Sequence, residues 1–370
     1  MIKFIHTSDI HLGAGFNQFS DSEKRKKEQI KTFEKIVNIT LEKKADLFLL
    51  SGDLFNSISP KKNYIELVKR ELSRLLNSGI SVFIVPGNHD YYIPDGLWDS
   101  EFNLENENLF IFKEPEFTYK HLEDINLSII AKAYDKTRKN KRLLDTDLIP
   151  ETEGLKIIIF HGSYDNPDFM EFSDHPFSLD EINKIDFNYL ALGHYHKFGI
   201  LLDGKDKKAV YPGTPEALKF SSRESGSRFI IYGEIEESGK LKIEPLEIQT
   251  CMINSLTMDI TSYDNIKILE KKISEMKDEN LYLNLKLTGT PSIDVFNGLE
   301  QLTERFSNNF AELKIDITGV DIPAGISSDE RYILGRFVKK INDKLEETSD
   351  DHEKIRLKTA LRLVINKTNK

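Results

Sequence analysis

Short apolar runs in the first two-thirds of this chain share one habit: each ends abruptly in a cluster of Gly, Asp, Asn or His. KFIHT runs into SDIH, ADLFLL into SGD, SVFIVP into GNHD, LKIIIF into HG and NYLAL into GHYH. Runs of this length flanked by turn residues read as buried strands. Helical periodicities lie between several of them. One covers about residues 22–43, with Ile30, Phe33, Val37 and Leu41 on a single face. Another starts after Ser59-Pro60, carries Ile65, Val68, Leu72 and Leu75, and stops at Gly79. Strand, helix, strand order predicts α/β layers with helices covering the sheet. In such layers, ligand sites collect beyond the carboxyl ends of strands. Residues 99–155 are charged and predict only a helix, short strands and a loop.

The polar clusters have metal-binding chemistry. Alternation along an extended chain sends His194 and His196 to one side, so the two imidazoles can aim at one point. Asp9, His11, Asp53, Asn88, His161, His194 and His196 together offer carboxylate, imidazole and one amide oxygen. That mixed set suits manganese, iron or zinc better than calcium. A lone cysteine, Cys251, excludes a disulfide framework and a thiolate zinc site. It fits a reducing, intracellular setting. Two ions close together need a shared carboxylate. Asp53 is the expected bridge, with Asp9, His11 and His196 on one ion and Asn88, His161 and His194 on the other. Gly52, Gly87 and Gly193 allow the sharp turns beside these ligands.

Net charge is −10, which argues against a protein that coats DNA by itself, because phosphate contacts need Lys and Arg. It does not argue against a nuclease whose metals carry the local positive charge. The N-terminus reads as a strand and not as a signal peptide. No apolar run approaches the roughly 18 residues of a membrane span.

Past residue 250 the pattern restarts as β-α-β-α-β. NSLTMDI, LYLNLKL and ELKIDI are the strands, with Leu281, Leu283, Leu285 and Leu287 on one face. Ile266, Leu269, Ile273 and Met276 mark one helix; Val295, Leu299, Leu302 and Phe306 mark the other. After Pro323, one amphipathic helix carries Leu334, Phe337, Val338, Ile341 and Leu345. A second carries Leu357, Leu361 and Val364. Two short amphipathic helices with little core left to join suggest a docking surface; the alternative is a helical hairpin packed on the chain's own body.

DIH, GD, GNHD, a lone His and GHYH, in that order and each after a strand, resemble the motifs of the calcineurin-like metallophosphoesterases. HTSDIHLG, SGDLF and YPGTPE narrow the resemblance to SbcD-type nuclease subunits of DNA double-strand break repair, over roughly residues 1–220. The resemblance implies a layered β-sandwich flanked by helices (1–250), a small α/β capping domain (251–322) and a C-terminal helical segment (323–370). It implies a cytoplasmic, nucleoid-associated subunit using two Mn2+, with Fe2+, Zn2+ or Mg2+ as other candidates. Its activity would be 3'-5' exonuclease and endonuclease on duplex ends, hairpins and single strands. Its partners would be an SMC-like coiled-coil ATPase of the SbcC type, bound through the terminal helices, and a second copy of itself.

By the same resemblance His89 stands outside the metal shell; it is expected to donate a proton to the leaving oxygen or to stabilise the transition state, with Asp90 orienting it by a hydrogen bond. Many relatives have a histidine where this chain has Asn56, an amide that can donate a hydrogen bond but carries no charge. Asn56, Tyr91 and Arg223 are the candidate substrate contacts. Tyr91 and Tyr92 either stack on a base or pack against the sheet, while Arg223 and Arg228 meet either DNA phosphates or the chain's own acids. His6 is expected to pack behind the site, His121 and His352 to lie on the surface, and His175 to stay out of the cleft. The alternatives are a phosphodiesterase or phosphatase acting on nucleotides or phosphoproteins, and a non-catalytic scaffold that retains the fold.

Overall fold

A computed structural model describes residues 1–102, 106–140, 142, 149–165, 174–321, 323 and 333–368. The chain divides into two compact units. One comprises Met1–Lys219 with Arg223–Met252; the other comprises Phe220–Ser222 with Ile253–Lys370.

The first unit is built on two six-stranded sheets. The strands of the first sheet are β1 (Ile2–Thr7), β2 (Leu47–Ser51), β3 (Ser81–Val85), β4 (Leu109–Ile111), β11 (Phe229–Ile235) and β12 (Leu241–Glu247). Their order is β12-β11-β1-β2-β3-β4. β1 to β4 run parallel, and β11 and β12 close one edge antiparallel. The second sheet contains β5 (Thr118–Leu122), β6 (Leu127–Lys132), β7 (Leu155–His161), β8 (Tyr189–Gly193), β9 (Gly199–Asp203) and β10 (Lys208–Tyr211). Its order is β5-β6-β7-β8-β10-β9, with β6, β7, β8 and β10 parallel.

Alternation assigns each strand's two faces. Phe4, Leu47, Leu49 and Phe83 meet Ile129, Ile157, Ile159 and Ala191 in a core between the sheets. Ile5, Phe48, Leu50 and Ile84 point the other way, onto Phe33, Ile36 and Val37 of α1 (Ser22–Glu42) and Val68, Leu72 and Leu75 of α2 (Lys62–Asn77). On the far side, Ile158, Phe160, Leu190 and Leu192 pack with Ile182 of α4 (Leu179–Lys184). Strands buried on both faces read as unbroken apolar runs, which is why their sequences stood out. α3 (Leu97–Ser100) is a single turn after β3.

β6 is the element the sequence concealed. Leu127, Ser128, Ile129, Ile130 and Ala131 are all buried, yet the strand lies among charged segments and ends in no metal-type cluster. Its parallel partner β7 begins over twenty residues later, so its place in the sheet depends on non-local pairing.

In the second unit, β13 (Met252–Asp259), β14 (Asp278–Gly289) and β15 (Phe310–Val320) form a sheet in that order, β14 parallel to β15. α5 (Ile266–Glu275), α6 (Ile293–Gly298) and α7 (Leu302–Phe306) occur between the strands. Leu281, Leu283, Leu285 and Leu287 are buried, as their alternation predicts. α8 (Ile333–Glu347) and α9 (Asp351–Thr368) pack on each other, and α9 also touches β15. Val338, Ile341 and Leu361 are buried; the side chains of Leu334 and Val364 lie outside the described residues. No helix among the described residues is long and apolar enough to cross a membrane.

Candidate metal centre

The loops after β1 and β2 are zipped together. Asp9 N–H donates to Gly52 O at 3.0 Å, His11 N–H to Asp53 O at 2.9 Å and Leu12 N–H to Leu54 O at 2.9 Å. This pairing holds three side chains inward at the cost of backbone strain. Asp9 (φ 51°), His11 (φ 51°) and Asp53 (φ 53°) are all left-handed, as is His194 (φ 111°). Each such residue costs on the order of 1–3 kcal/mol, and strain of this kind gathers at functional sites. Gly193 is required for a different reason. A Cβ there would lie 1.7 Å from Ser51 O, where β8 presses on the end of β2.

Asp9, His11, Asp53 and His161 are buried, while Asn88, His194 and His196 are half-buried around them. Ligand atoms of Asp9, His11 and His196 lie within 4.8 Å of one another, as do those of Asp9, Asp53 and His161 and those of His11, Asp53 and His89. Asp53 is central: its Oδ2 is 3.5 Å from His11 Nε2 and 3.4 Å from His161 Nε2. Its Oδ1 accepts the backbone N–H of His89 at 2.8 Å. Asn88 Oδ1 is 2.8 Å from His161 Nε2 and 3.1 Å from His194 Nδ1.

This donor set fits divalent cations. The Nε2 atoms of His11 and His196 face each other at 3.1 Å, and buried His11 Nδ1 has no hydrogen-bond partner. Buried imidazole lone pairs turned on one another are poorly satisfied unless a cation joins them. The outer partners also favour the metal-ready tautomers. His161 Nδ1 can donate to Ser51 O at 2.9 Å and His196 Nδ1 to Glu224 Oε1 at 3.1 Å, which turns both Nε2 atoms toward the cluster.

Titration follows the same packing. Burial opposes ionisation of Asp53, but His161 and His11 outweigh it and hold the carboxyl far below the usual range. Burial alone would depress His161; Asp53 reverses this and raises it to about 10. Burial, reinforced by the charge of His161, lowers His194 to about 3.

Several partners were not legible in the sequence. Buried Glu224 accepts from His196 through Oε1, and through Oε2 from the backbone N–H groups of Leu218 and of Lys219, the latter at 3.2 Å. Arg228 is buried and donates to His196 O at 2.7 Å. It braces the ligand loop from inside, which removes the DNA-phosphate alternative of its two expected roles. Glu216 of YPGTPE accepts from Arg25 at 2.9 Å, Thr32 at 2.7 Å and Thr250 N–H at 2.9 Å, so that motif ties α1 to the region after β12.

Asp90 also differs from expectation. Its carboxylate accepts from Gly87 N–H at 2.8 Å and Phe55 N–H at 3.0 Å, and is not bonded to the His89 ring. It pins the GNHD loop to the SGD loop, because those amides lie inside while His89 turns outward. The His89 ring is exposed and stands edge-on to His11, centroids 4.7 Å apart.

His6 is buried between the sheets, 2.8 Å from Tyr189 OH and 2.7 Å from Ser51 Oγ. His175 is buried against Tyr134 and Asp135. His121 is half-buried and bonds Ser128 at 2.9 Å. Among the substrate candidates, Asn56 is half-buried, with its N–H on Leu12 O at 3.1 Å. Tyr91 is half-buried, and Arg223 is exposed on the loop that carries Glu224.

The sequence profile described as calcineurin-like phosphoesterase matches residues 2–217. The chain belongs to that family. This phosphoesterase is therefore a metal-dependent hydrolase. Over 301 residues it is 24% identical to the uncharacterized metallophosphoesterase YhaO of Bacillus subtilis, covering 78% of this chain and 70% of that one. It is 29% identical over 241 residues to the DNA double-strand break repair protein Mre11 of Saccharolobus solfataricus, covering 62% of this chain and 58% of the relative. To Mre11 of Methanocaldococcus jannaschii it is 30% identical over 222 residues, covering 59% and 57%. The match thus spans less than two thirds of either Mre11. Among solved structures, a dimetal phosphatase from Danio rerio aligns at a TM-score of 0.40 with 11% identity, covering 67% of this chain and 98% of that one.

Glu224 yields a direct test. Removing an outer partner of a ligating histidine weakens metal binding about 10–100-fold. Glu224→Ala should do so in a metal titration, and Glu224→Gln, which keeps an acceptor, should retain most of the affinity. Unchanged affinity in Glu224→Ala would mean that the carboxylate serves only the Leu218–Lys219 turn.

Proposed function

We propose that this phosphoesterase is the manganese-dependent nuclease subunit of an SbcCD-type DNA repair complex. The observation that carries the reading is the position of Asp53 Oδ2 between His11 Nε2 and His161 Nε2, the geometry of a carboxylate shared by two cations. In this reading Asp9, His11, Asp53 and His196 would hold one ion, and Asp53, Asn88, His161 and His194 would hold the other. Bound there, the ions supply Lewis acidity toward phosphoryl oxygens and depress the pKa of water.

The chain's own groups do the rest. Ser51 and Glu224 keep the Nε2 lone pairs of His161 and His196 pointed inward. Asp90 fixes the GNHD loop through two backbone amides. His89, exposed beside the cluster, donates a proton to the leaving oxygen. Similarity to the two Mre11 proteins supports DNA as substrate. Residues 1–250 form the nuclease domain, 251–322 a cap, and 323–370 the helices that dock on a coiled-coil ATPase, which supplies much of the DNA grip that an acidic chain lacks. A homodimer is part of the same reading.

Asn56, with no charge to offer a phosphate, favours keeping a phosphodiesterase or phosphatase of smaller substrates as the second reading. The test is end-labelled linear duplex DNA with manganese, beside cyclic nucleotides and a phosphoserine peptide. Cleavage of DNA in preference to the others is expected. Turnover of only the small substrates would replace the nuclease reading with the second.

A further inference from the structure

β6 delivers a basic loop to the metal centre. Directly after the strand, Tyr134 N–H donates to Pro86 O at 3.3 Å, which sets this loop beside GNHD. Residues 132–142 include Lys132, Lys136, Arg138, Lys139 and Arg142. Most of these charges are engaged. Arg138 pairs with Glu116 at 3.2 Å and Asp135 at 3.3 Å, Lys139 with Asp174 at 3.3 Å, and Arg142 with Glu181 at 2.7 Å and Asp165 at 3.0 Å. Lys132 is half-buried over the Phe117 ring.

Lys136 is different. It is exposed, and among the described residues it pairs with no carboxylate. Its Nζ donates to Tyr91 OH at 3.2 Å and stands 5.0 Å from the centroid of that ring. Tyr91 follows His89 by two residues, a span of at most about 7 Å of chain. An ammonium has three donors and spends one here. A phenol that accepts from it still has its own O–H to give. The pair therefore presents unspent donors and a positive charge two residues along the chain from His89, on an otherwise acidic protein.

We infer that Lys136 and Tyr91 form a phosphate subsite that grips the backbone phosphate adjacent to the scissile one. The inference rests on the polynucleotide reading of the metal centre and deepens it. Charge-assisted bonds from Lys136, with the Tyr91 hydroxyl as second donor, hold a nonbridging oxygen of that neighbouring phosphate. The subsite selects substrates with consecutive phosphodiesters over those with one. Specificity for a polymer then comes from Lys136, on a loop that carries none of the family's metal motifs, acting with Tyr91 just past GNHD.

The experiment compares a single-stranded oligonucleotide with bis(p-nitrophenyl) phosphate, which has a single phosphate, using the full chain with manganese. Lys136→Ala should raise KM for the oligonucleotide about tenfold with a much smaller change in kcat. The oligonucleotide-to-single-phosphate selectivity should fall by a similar factor. The salt slope of log(kcat/KM) should shrink by about 0.7, the value for one lost contact to a single strand. Lys136→Arg should recover most of the KM, and Tyr91→Phe should show a smaller loss in the same direction. An unmoved selectivity ratio and salt slope, with the wild type active on the oligonucleotide, would overturn the subsite alone. A wild type that hydrolyses only the single-phosphate substrate would overturn the nuclease reading and the subsite with it.

Discussion

Asp53→Asn should abolish turnover, by about a thousandfold or more, and cut bound divalent metal well below the wild-type stoichiometry. An amide has one acceptor oxygen and no charge, so it cannot bridge a pair of cations as a carboxylate can. Elemental analysis after dialysis, run with the rate assay, checks both halves. Retention of the full metal complement would remove Asp53 from the bridging position. The metal-free protein gives an independent reading. Asp53 is what raises His161 to about 10 against the opposing effect of burial. A raised imidazole contributes stability that is fully present below its unfolded value near 6.5 and is lost as pH climbs through the folded value. The metal-free wild type should therefore lose this contribution between about pH 6.5 and 10. Asp53→Asn should flatten that dependence, which thermal melts across the window would register.

His89→Ala should separate chemistry from metal binding. The only hydrogen bond described between His89 and Asp53 runs through the backbone N–H, at 2.8 Å, and alanine keeps that donor. The imidazole itself is exposed and meets the cluster edge-on at His11. Loss of a general acid costs roughly 10²–10⁴-fold in rate. The expected variant binds metal like the wild type and turns over two to four decades more slowly. The effect should shrink on substrates with a good leaving group, such as nitrophenolate, which needs less protonation. A variant that lost its metal would show that His89 is a ligand, the role its closeness to His11 and Asp53 also permits.

Much of the first unit is legible in its sequence. β1, β2, β3, β7 and β8 are buried on both faces, so each appears as an unbroken apolar run. Each ends where the chain must turn sharply, so polar residues mark the boundary, joined by a glycine at the ends of β2, β3, β7 and β8. α1 and α2 declared themselves by a stripe against one sheet. β6 did not, because its flanks are charged and no ligand marks its end; pairing with β7 makes it a strand. The leucine alternation of β14 was visible for the opposite reason, since one face is buried and period two is local.

At the candidate site, residue type marks the possible donors and tertiary contact sets how each is held. Asp9, His11, Asp53, Asn88, His161, His194 and His196 could be collected from their places at strand ends, because metal affinity depends on a few donor atoms that particular residues must supply. Glu224, Arg228 and Ser51 O could not, since any acid, cation or carbonyl in the chain offers the same chemistry. Only folding brings Glu224 to His196 and Ser51 to His161, and only there do those bonds choose a tautomer. Asp90 teaches the same point. Its neighbour in sequence is His89, yet its carboxylate turns to Gly87 and Phe55 amides that the fold leaves in need of an acceptor. Sequence by itself determined which atoms could hold metal; three-dimensional packing decided which of them are aimed, charged and braced, because hydrogen bonds act over about 3 Å and take no account of separation along the chain.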